Sequence, residues 1–117
     1  MLFDTHTHYD DSRFEEDREA LLASLPGKNI CGLMAVGADL ASSRRSVELA
    51  ERYPFVRAVV GVHPHGIEET QEMGEEAFRR ELETLTASPF VYAVGEIGLD
   101  YHWDTPDRLL QQKWFRF

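Results

Sequence analysis

Four short apolar runs alternate with segments of helical periodicity along the chain. The runs begin at residues 1, 31, 56 and 90, and the second reads Cys31-Gly32-Leu33-Met34-Ala35-Val36-Gly37. Strands that are buried on both faces of a parallel sheet read as continuous apolar runs, and they alternate with helices in βα units. The pattern therefore predicts an α/β protein with four parallel strands, the first of them a buried strand.

The segments between the runs carry the start and stop signals of helices. Ser12 to Glu15 has the form of a capping box for a first helix, which Pro26-Gly27 would end. Asp39 can cap a second helix, on which Glu48 and Arg52 are spaced to pair at i,i+4. This helix should end before Pro54, where the third strand approaches.

The second half of the chain repeats the alternation. Residues 66–74 are either a loop or a frayed helix, and a helix is predicted from Glu75 to the break at Ser88-Pro89. The fourth strand is predicted over residues 90–100. Thr105-Pro106 then predicts the N-cap and first residue of a last helix, within which the chain stops.

Polar residues cluster where the predicted strands end. They are His6 and His8, then His63 and His65, then Glu96 and Asp100. Side chains two apart on a strand point to the same face, and the carboxyl ends of parallel strands share one edge of the sheet. Imidazole and carboxylate together suit zinc or manganese and can bind magnesium. The sequence therefore indicates a divalent-metal site at this edge.

Each of these residues also has a structural interpretation, which the sequence leaves open. The histidines could be hydrogen-bonded residues at a rim, those around Pro64 in a turn made rigid by the proline. Glu96 could pair with an arginine, and Asp100 could cap a loop. Tyr101, Trp103 and Trp114 could stack on a base, but packing is the favoured interpretation.

Composition and charge exclude some classes of protein. The chain has 117 residues and a net charge of −9, which argues against a broad basic surface for nucleic acid. A scissile phosphate can still be held through bound cations. No apolar run approaches the roughly 20 residues of a membrane span, and Asp4 interrupts any signal-peptide pattern. We expect a cytoplasmic protein without membrane association, and no feature indicates an obligate protein partner.

Three motifs in register resemble the TatD family of metal-dependent deoxyribonucleases. They are Asp4-Thr5-His6-Thr7-His8, Gly61-Val62-His63-Pro64-His65 and Gly95-Glu96-Ile97-Gly98-Leu99-Asp100-Tyr101, with Gln111 and Phe115 following. The resemblance implies a TIM barrel of the metallo-dependent hydrolase kind. It also implies two divalent ions (Mg, Mn or Zn) at the carboxyl end of the barrel and DNA as substrate.

The resemblance also implies roles for particular residues. His6 and His8 would be ligands of one metal, and Glu96 would be the catalytic carboxylate shared between two. His63 would contact the scissile phosphate, with His65 as a further substrate-binding residue. The family's two later histidines and its last aspartate, the expected base, are absent from these residues.

A closed (β/α)8 barrel takes about 250 residues. We therefore expect residues 1–117 to be the amino-terminal half of a single TatD-like TIM-barrel domain, truncated within the fourth helix of the predicted βα units. Three functions follow. The chain could be part of a deoxyribonuclease that uses metal-activated water, part of a metallo-dependent hydrolase of amides or esters, or an inactive fragment or assembly module.

Overall fold

The computed structural model describes residues 1–103 and 105–117. Its strands and α-helices, in chain order, are β1 (Leu2–Thr7), α1 (Arg18–Ser24), β2 (Ile30–Val36), α2 (Leu40–Arg52), β3 (Val56–Val60), α3 (Ile67–Met73), α4 (Glu75–Thr86), β4 (Val91–Val94) and α5 (Arg108–Phe115). Short 3-10 turns lie at Ser12–Phe14, Pro26–Lys28 and Pro64–Gly66. None of the helices in the described ranges is long and apolar enough to cross a membrane.

The four strands form one parallel sheet in the order β1-β2-β3-β4. This confirms the predicted alternation of parallel strands and helices. Because all strands run the same way, their carboxyl ends meet at one edge of the sheet. The candidate metal-binding residues lie at this edge, either in the last residues of β1 or in the segments that directly follow β1, β3 and β4.

The core lies between the two central strands and the helices packed against them. The helices α2 and α4 pack against the face formed by β2 and β3 and remove apolar side chains of these strands from water. The core consists of Leu22, Leu25, Leu33, Ala35, Leu40, Val47, Leu49, Ala50, Val56, Ala58, Val60, Phe78 and Leu85. The predicted strands and the inner faces of α2 and α4 therefore supply most of the packing.

The prediction that the first strand is buried was wrong for this chain. Leu2 is 65% exposed and Phe3 48% exposed, because β1 is an edge strand with a bonded neighbour on one side only. The fourth strand is an edge as well and ends at Val94 rather than at residue 100. Residues 95–100 instead form the connection that carries Glu96 and Asp100.

The first helix begins later than the predicted capping box. Asp11, not Ser12, accepts the backbone hydrogen bond of Arg13 at 2.8 Å, and a 3-10 turn follows. The α-helix starts only at Arg18, whose guanidinium donates to the carbonyl oxygens of Tyr9, Asp10 and Asp11. Asp11 caps this turn in place of Ser12, since its carboxylate also binds the Arg13 guanidinium at 3.0 Å.

The N-cap of the last helix also differs from the prediction. The Oδ1 atom of Asp107 accepts from the backbone N–H groups of Leu109 and Leu110 at 2.9 and 3.2 Å. An aspartate carboxylate is a strong N-cap acceptor, so α5 begins after Asp107 and Thr105-Pro106 precedes it.

The second helix has the predicted cap and a different ion pair. Asp39 accepts from the backbone N–H of Ser42 at 2.6 Å, and the Ser42 hydroxyl reaches back to the Asp39 N–H, completing a capping box. Arg52 pairs with Glu19 on α1 rather than with Glu48. The ion pair therefore joins two helices instead of stabilising one.

Candidate metal centre

The two histidines of β1 present ring nitrogens to the same point. The Nε2 atoms of His6 and His8 lie 3.1 Å apart. The Nδ1 atom of His8 lies 2.9 Å from the carbonyl oxygen of Val36. A carbonyl can only accept, so His8 carries its proton on Nδ1 and turns an Nε2 lone pair toward His6. Such a second hydrogen bond is the usual way in which a metal-binding histidine is oriented.

The separation of the two nitrogens suits a shared cation. Imidazole nitrogens bind zinc at about 2.1 Å, so two of them at one ion lie roughly 3.0–3.4 Å apart for angles between octahedral and tetrahedral. The 3.1 Å between His6 and His8 falls in this range. The chemistry and spacing of the pair therefore fit a divalent metal.

Glu96 is positioned by the backbone around it. The N–H of Gly95 donates to Val60 at 2.9 Å, and the N–H of Glu96 donates to Gly37 at 2.8 Å. Gly61 allows this approach, because a Cβ there would lie 2.6 Å from the carbonyl carbon of Gly95. These contacts hold the glutamate at the carboxyl ends of β2 and β3.

The two carboxylate oxygens of Glu96 face different histidines. Oε2 lies 3.6 Å from Nε2 of His6, and Oε1 lies 3.9 Å from Nε2 of His63. In the described part of the chain, these two histidines are the basic side chains within 4 Å of the Glu96 carboxylate, so the alternative of an arginine ion pair is not what the structure shows. His6, His8 and Glu96 form one group whose ligand atoms all lie within 4.8 Å of one another.

A second group lies beside the first and consists of His63, His65 and Asp100. The Nε2 atom of His65 is 3.1 Å from Oδ2 of Asp100. Asp100 also accepts the backbone N–H of His102 at 2.9 Å, so the loop-capping alternative holds together with the contact to His65.

The hydrogen bonding of His63 distinguishes it from a metal ligand. Its Nδ1 accepts the backbone N–H of His65 at 3.2 Å. Neutral His63 therefore carries its proton on Nε2, the nitrogen that faces Glu96. A metal on Nε2 would leave the ring with no proton on either nitrogen. His63 is thus arranged to donate a hydrogen bond to an anionic oxygen, as a phosphate-contacting residue would.

Gln111 is a residue whose role the sequence did not indicate. It is completely buried. Its Oε1 accepts the N–H of Asp100 at 2.8 Å, and its Nε2 donates to the carbonyls of Asp100 and Pro106 at 2.8 and 2.9 Å. The available signal was that Gln111, with Phe115, follows the three motifs that resemble the TatD family. Gln111 ties the connection after β4 to α5 and so positions Asp100.

A cavity of about 620 Å³ opens next to His8 and Glu96. Asp10 lines it and is buried, and burial raises the pKa of its carboxyl group although Arg45 opposes the shift. Its Oδ2 lies 3.4 Å from Nη2 of Arg45. Besides His8 and Glu96, the cavity is lined by three arginines, several carboxylates and two serines: Asp10, Asp11, Ser12, Arg13, Glu15, Arg18, Asp39, Ser42 and Arg45, with Ala38.

The aromatic residues divide into two groups. Trp114 packs edge-on against Phe78, with ring centroids 5.2 Å apart, and against Phe117. Trp103 is 56% exposed and Tyr101 39% exposed. The packing interpretation therefore holds for Trp114 and was wrong for Trp103. The Tyr101 ring is partly covered by the Arg108 guanidinium, and its hydroxyl is bound by Gln112.

A parallel sheet with histidines and a carboxylate clustered at its carboxyl edge is typical of α/β proteins, which keep their functional sites at that edge. The model of the family described as TatD related DNase matches residues 3–117. The chain belongs to this family.

Individual relatives agree with the family match. A relative from Bacillus subtilis, named uncharacterized metal-dependent hydrolase YabD, is 36% identical over 99% of this chain and 44% of its own length. The Escherichia coli K12 protein named 3'-5' ssDNA/RNA exonuclease TatD is 33% identical over 91% of this chain and 40% of its own length.

The fold match extends to a solved structure. The crystal structure of YjjV, a TatD homolog from Escherichia coli K12, superposes with a TM-score of 0.80 at 29% identity. It covers 98% of this chain and 44% of that chain. The four βα units thus match the amino-terminal part of the TatD barrel. The chain spans 44% and 40% of the lengths of the two relatives above.

Proposed function

We propose that this chain supplies the first metal ligands of a nuclease that hydrolyses DNA phosphodiester bonds. The observation that carries the proposal is the convergence of His6, His8 and Glu96, with the two Nε2 atoms 3.1 Å apart. The bond from His8 to the Val36 carbonyl supports it, because it leaves Nε2 free as a ligand. The proposed domain is a single TatD-like barrel, of which residues 1–117 form the amino-terminal half.

A divalent ion held by these residues would polarise a phosphate and lower the pKa of bound water. Glu96 is the candidate catalytic carboxylate, and it directs one oxygen toward His6 and the other toward His63. The oxygen that faces His6 fits the ion at His6 and His8, and the resemblance to the TatD family implies that the carboxylate is shared with a second ion; the two ions could be Mg, Mn or Zn.

His63 and His65 are the candidate substrate-binding residues. The proton on Nε2 of His63 is available to a phosphate oxygen beside Glu96, because its Nδ1 is occupied by the His65 N–H. His65 lies next to it and is held by Asp100 at 3.1 Å. A single strand of DNA is the proposed substrate, and the name of the Escherichia coli relative supports this choice.

The test is cleavage of 5′-labelled single-stranded DNA by the purified protein in Mg²⁺, Mn²⁺ or Zn²⁺. We expect His6→Ala and Glu96→Gln to abolish cleavage, as a chelator would. Glu83→Gln is the matched control, since it neutralises an exposed glutamate of α4 that lies outside both ligand groups. Full turnover in His6→Ala or Glu96→Gln would contradict the proposal.

The same preparation separates the alternative reactions. Hydrolysis of small amides or esters without DNA cleavage would favour the other metallo-dependent hydrolases. The apolar side chains exposed on the two edge strands, such as Leu2 and Val94, favour an assembly role as a second candidate. Light scattering tests it, because a stable monomer would count against assembly. A cytoplasmic location stays a prediction, which cell fractionation would test.

A further inference from the structure

We propose that Trp103 is a stacking platform for a nucleobase of the single-stranded substrate, an inference that rests on the proposed function. Its indole is more than half exposed. The ring of His102 meets it edge-on, with centroids 4.6 Å apart and an interplanar angle of 86°. An exposed tryptophan next to a phosphodiester site has the geometry with which proteins hold single strands without reading their sequence.

The Trp103 platform is linked to the candidate metal centre through His65 and His63. A cavity of about 340 Å³ beside Trp103 is lined by His65, Glu68, Thr105 and Pro106. His65 is also the residue that binds Asp100 and donates to His63, which faces Glu96. A nucleotide whose phosphate lies at His63 therefore has a place for a neighbouring base beside His65.

The loop that carries Trp103 is anchored on both sides. Gln111 binds the backbone of Asp100 and the carbonyl of Pro106, which flank the tryptophan. A platform that is already in place loses little conformational freedom on binding. The nearby Tyr101 is less suited, because the Arg108 guanidinium lies over its ring at 4.9 Å and Gln112 holds its hydroxyl.

Charge also favours stacking as the source of affinity. The chain has a net charge of −9, and the lining of the Trp103 cavity within the described residues contains neither lysine nor arginine. Phosphate neutralisation by basic side chains would make binding strongly dependent on salt. Stacking on an indole requires no such charge, so binding at Trp103 should depend only weakly on salt.

The experiment measures binding of a labelled oligothymidylate to the full chain by fluorescence anisotropy, in a chelator that prevents turnover. We expect Trp103→Ala to weaken binding about fivefold or more and Trp103→Phe to retain most of the affinity. Tyr92→Ala is the matched control, because Tyr92 is an exposed aromatic with Arg57 over its ring but lies on β4, outside this cavity. Its affinity should equal that of the unsubstituted protein.

A second probe removes the bases and keeps the phosphates. An abasic oligomer of the same length should bind several-fold more weakly than oligothymidylate, and only oligothymidylate should quench the Trp103 fluorescence. Equal affinity for the two oligomers, or unchanged affinity in Trp103→Ala, would overturn the inference. Because no metal is needed, that failure is separable from the cleavage assay. Trp103-dependent binding without cleavage in any metal would support stacking and overturn the proposed nuclease activity.

Discussion

His8 donates from Nδ1 to the carbonyl oxygen of Val36, the last residue of the neighbouring strand, across 2.9 Å. This bond joins two strands at their carboxyl ends and decides which nitrogen of His8 is free. The candidate centre depends on it, because a ligand nitrogen must offer a lone pair.

The first prediction concerns metal affinity. Loss of a residue that only hydrogen-bonds to a metal ligand lowers metal affinity by about 10- to 100-fold. Alanine in place of the ligand His6 or His8 should weaken Mn²⁺ or Zn²⁺ binding by more than this. Isothermal titration of the protein measures this. Ring ¹⁵N shifts should show an Nδ1 proton on His8 before metal is added. Unchanged affinity in both variants would contradict the assigned ligands, and His102→Ala should bind metal normally.

The second prediction concerns Gln111. Gln111→Ala should lower the free energy of unfolding by about 1–3 kcal/mol, because it leaves buried backbone groups of Asp100 and Pro106 without partners. Gln111→Glu should also destabilise, since a carboxylate cannot donate to the two carbonyls. Urea denaturation measures both. Gln112→Ala is the control, because Gln112 makes one exposed bond to the Tyr101 hydroxyl. Equal stability of Gln111→Ala and Gln112→Ala would contradict the proposal that Gln111 stabilises the protein by tying the connection after β4 to α5.

The third prediction is a pH dependence of stability that arises at the α2 N-cap. Burial alone would raise the pKa of Asp39, but the hydrogen bonds from Ser42 outweigh it and lower the pKa below its ordinary 3.8. A lowered pKa in the folded state means that the ionised carboxylate stabilises the protein above pH 3.8. This contribution is lost as the pH falls through the folded-state pKa.

Two substitutions at Asp39 separate the cap from its charge. Asp39→Ala should cost about 0.5–2 kcal/mol at neutral pH through loss of the N-cap. Asp39→Asn keeps a side-chain oxygen that can accept the hydrogen bond. The difference in stability between this variant and the unsubstituted protein should shrink in acid. Thermal unfolding at several pH values measures both. A stability difference between Asp39→Asn and the unsubstituted protein that grows on acidification would contradict the lowered pKa of Asp39.

The fourth prediction concerns Gly61. A Cβ at this position would lie 2.6–2.7 Å from the backbone carbonyl of Gly95, which cannot move without displacing Glu96. Gly61→Ala should therefore destabilise by about 1–3 kcal/mol or more, as overpacking does, and weaken metal binding. Gly27→Ala is a matched control, since nothing lies within 4 Å of its added Cβ. Chemical denaturation with metal titration measures both effects, and similar behaviour of the two variants would argue against the tight approach.

Local signals predicted those elements whose partners lie nearby in the chain. The apolar runs predicted the order of strands and helices, and Asp39 predicted the start of α2 because a cap binds within three residues. The same reasoning misplaced the first and last helix starts. Asp11 and Asp107 are also local acceptors, and the sequence does not rank them against Ser12 or Thr105.

The sequence by itself determined that His6, His8, His63 and Glu96 would meet at one edge, because the strand period and parallel direction follow from patterns within each segment. Only the tertiary structure decided how they meet. The proton of His8 is directed by Val36, 28 residues away. Glu96 faces both histidine groups because its own N–H donates to Gly37 and the N–H of Gly95 donates to Val60. Such hydrogen bonds depend on the packing of distant segments, which no local pattern contains.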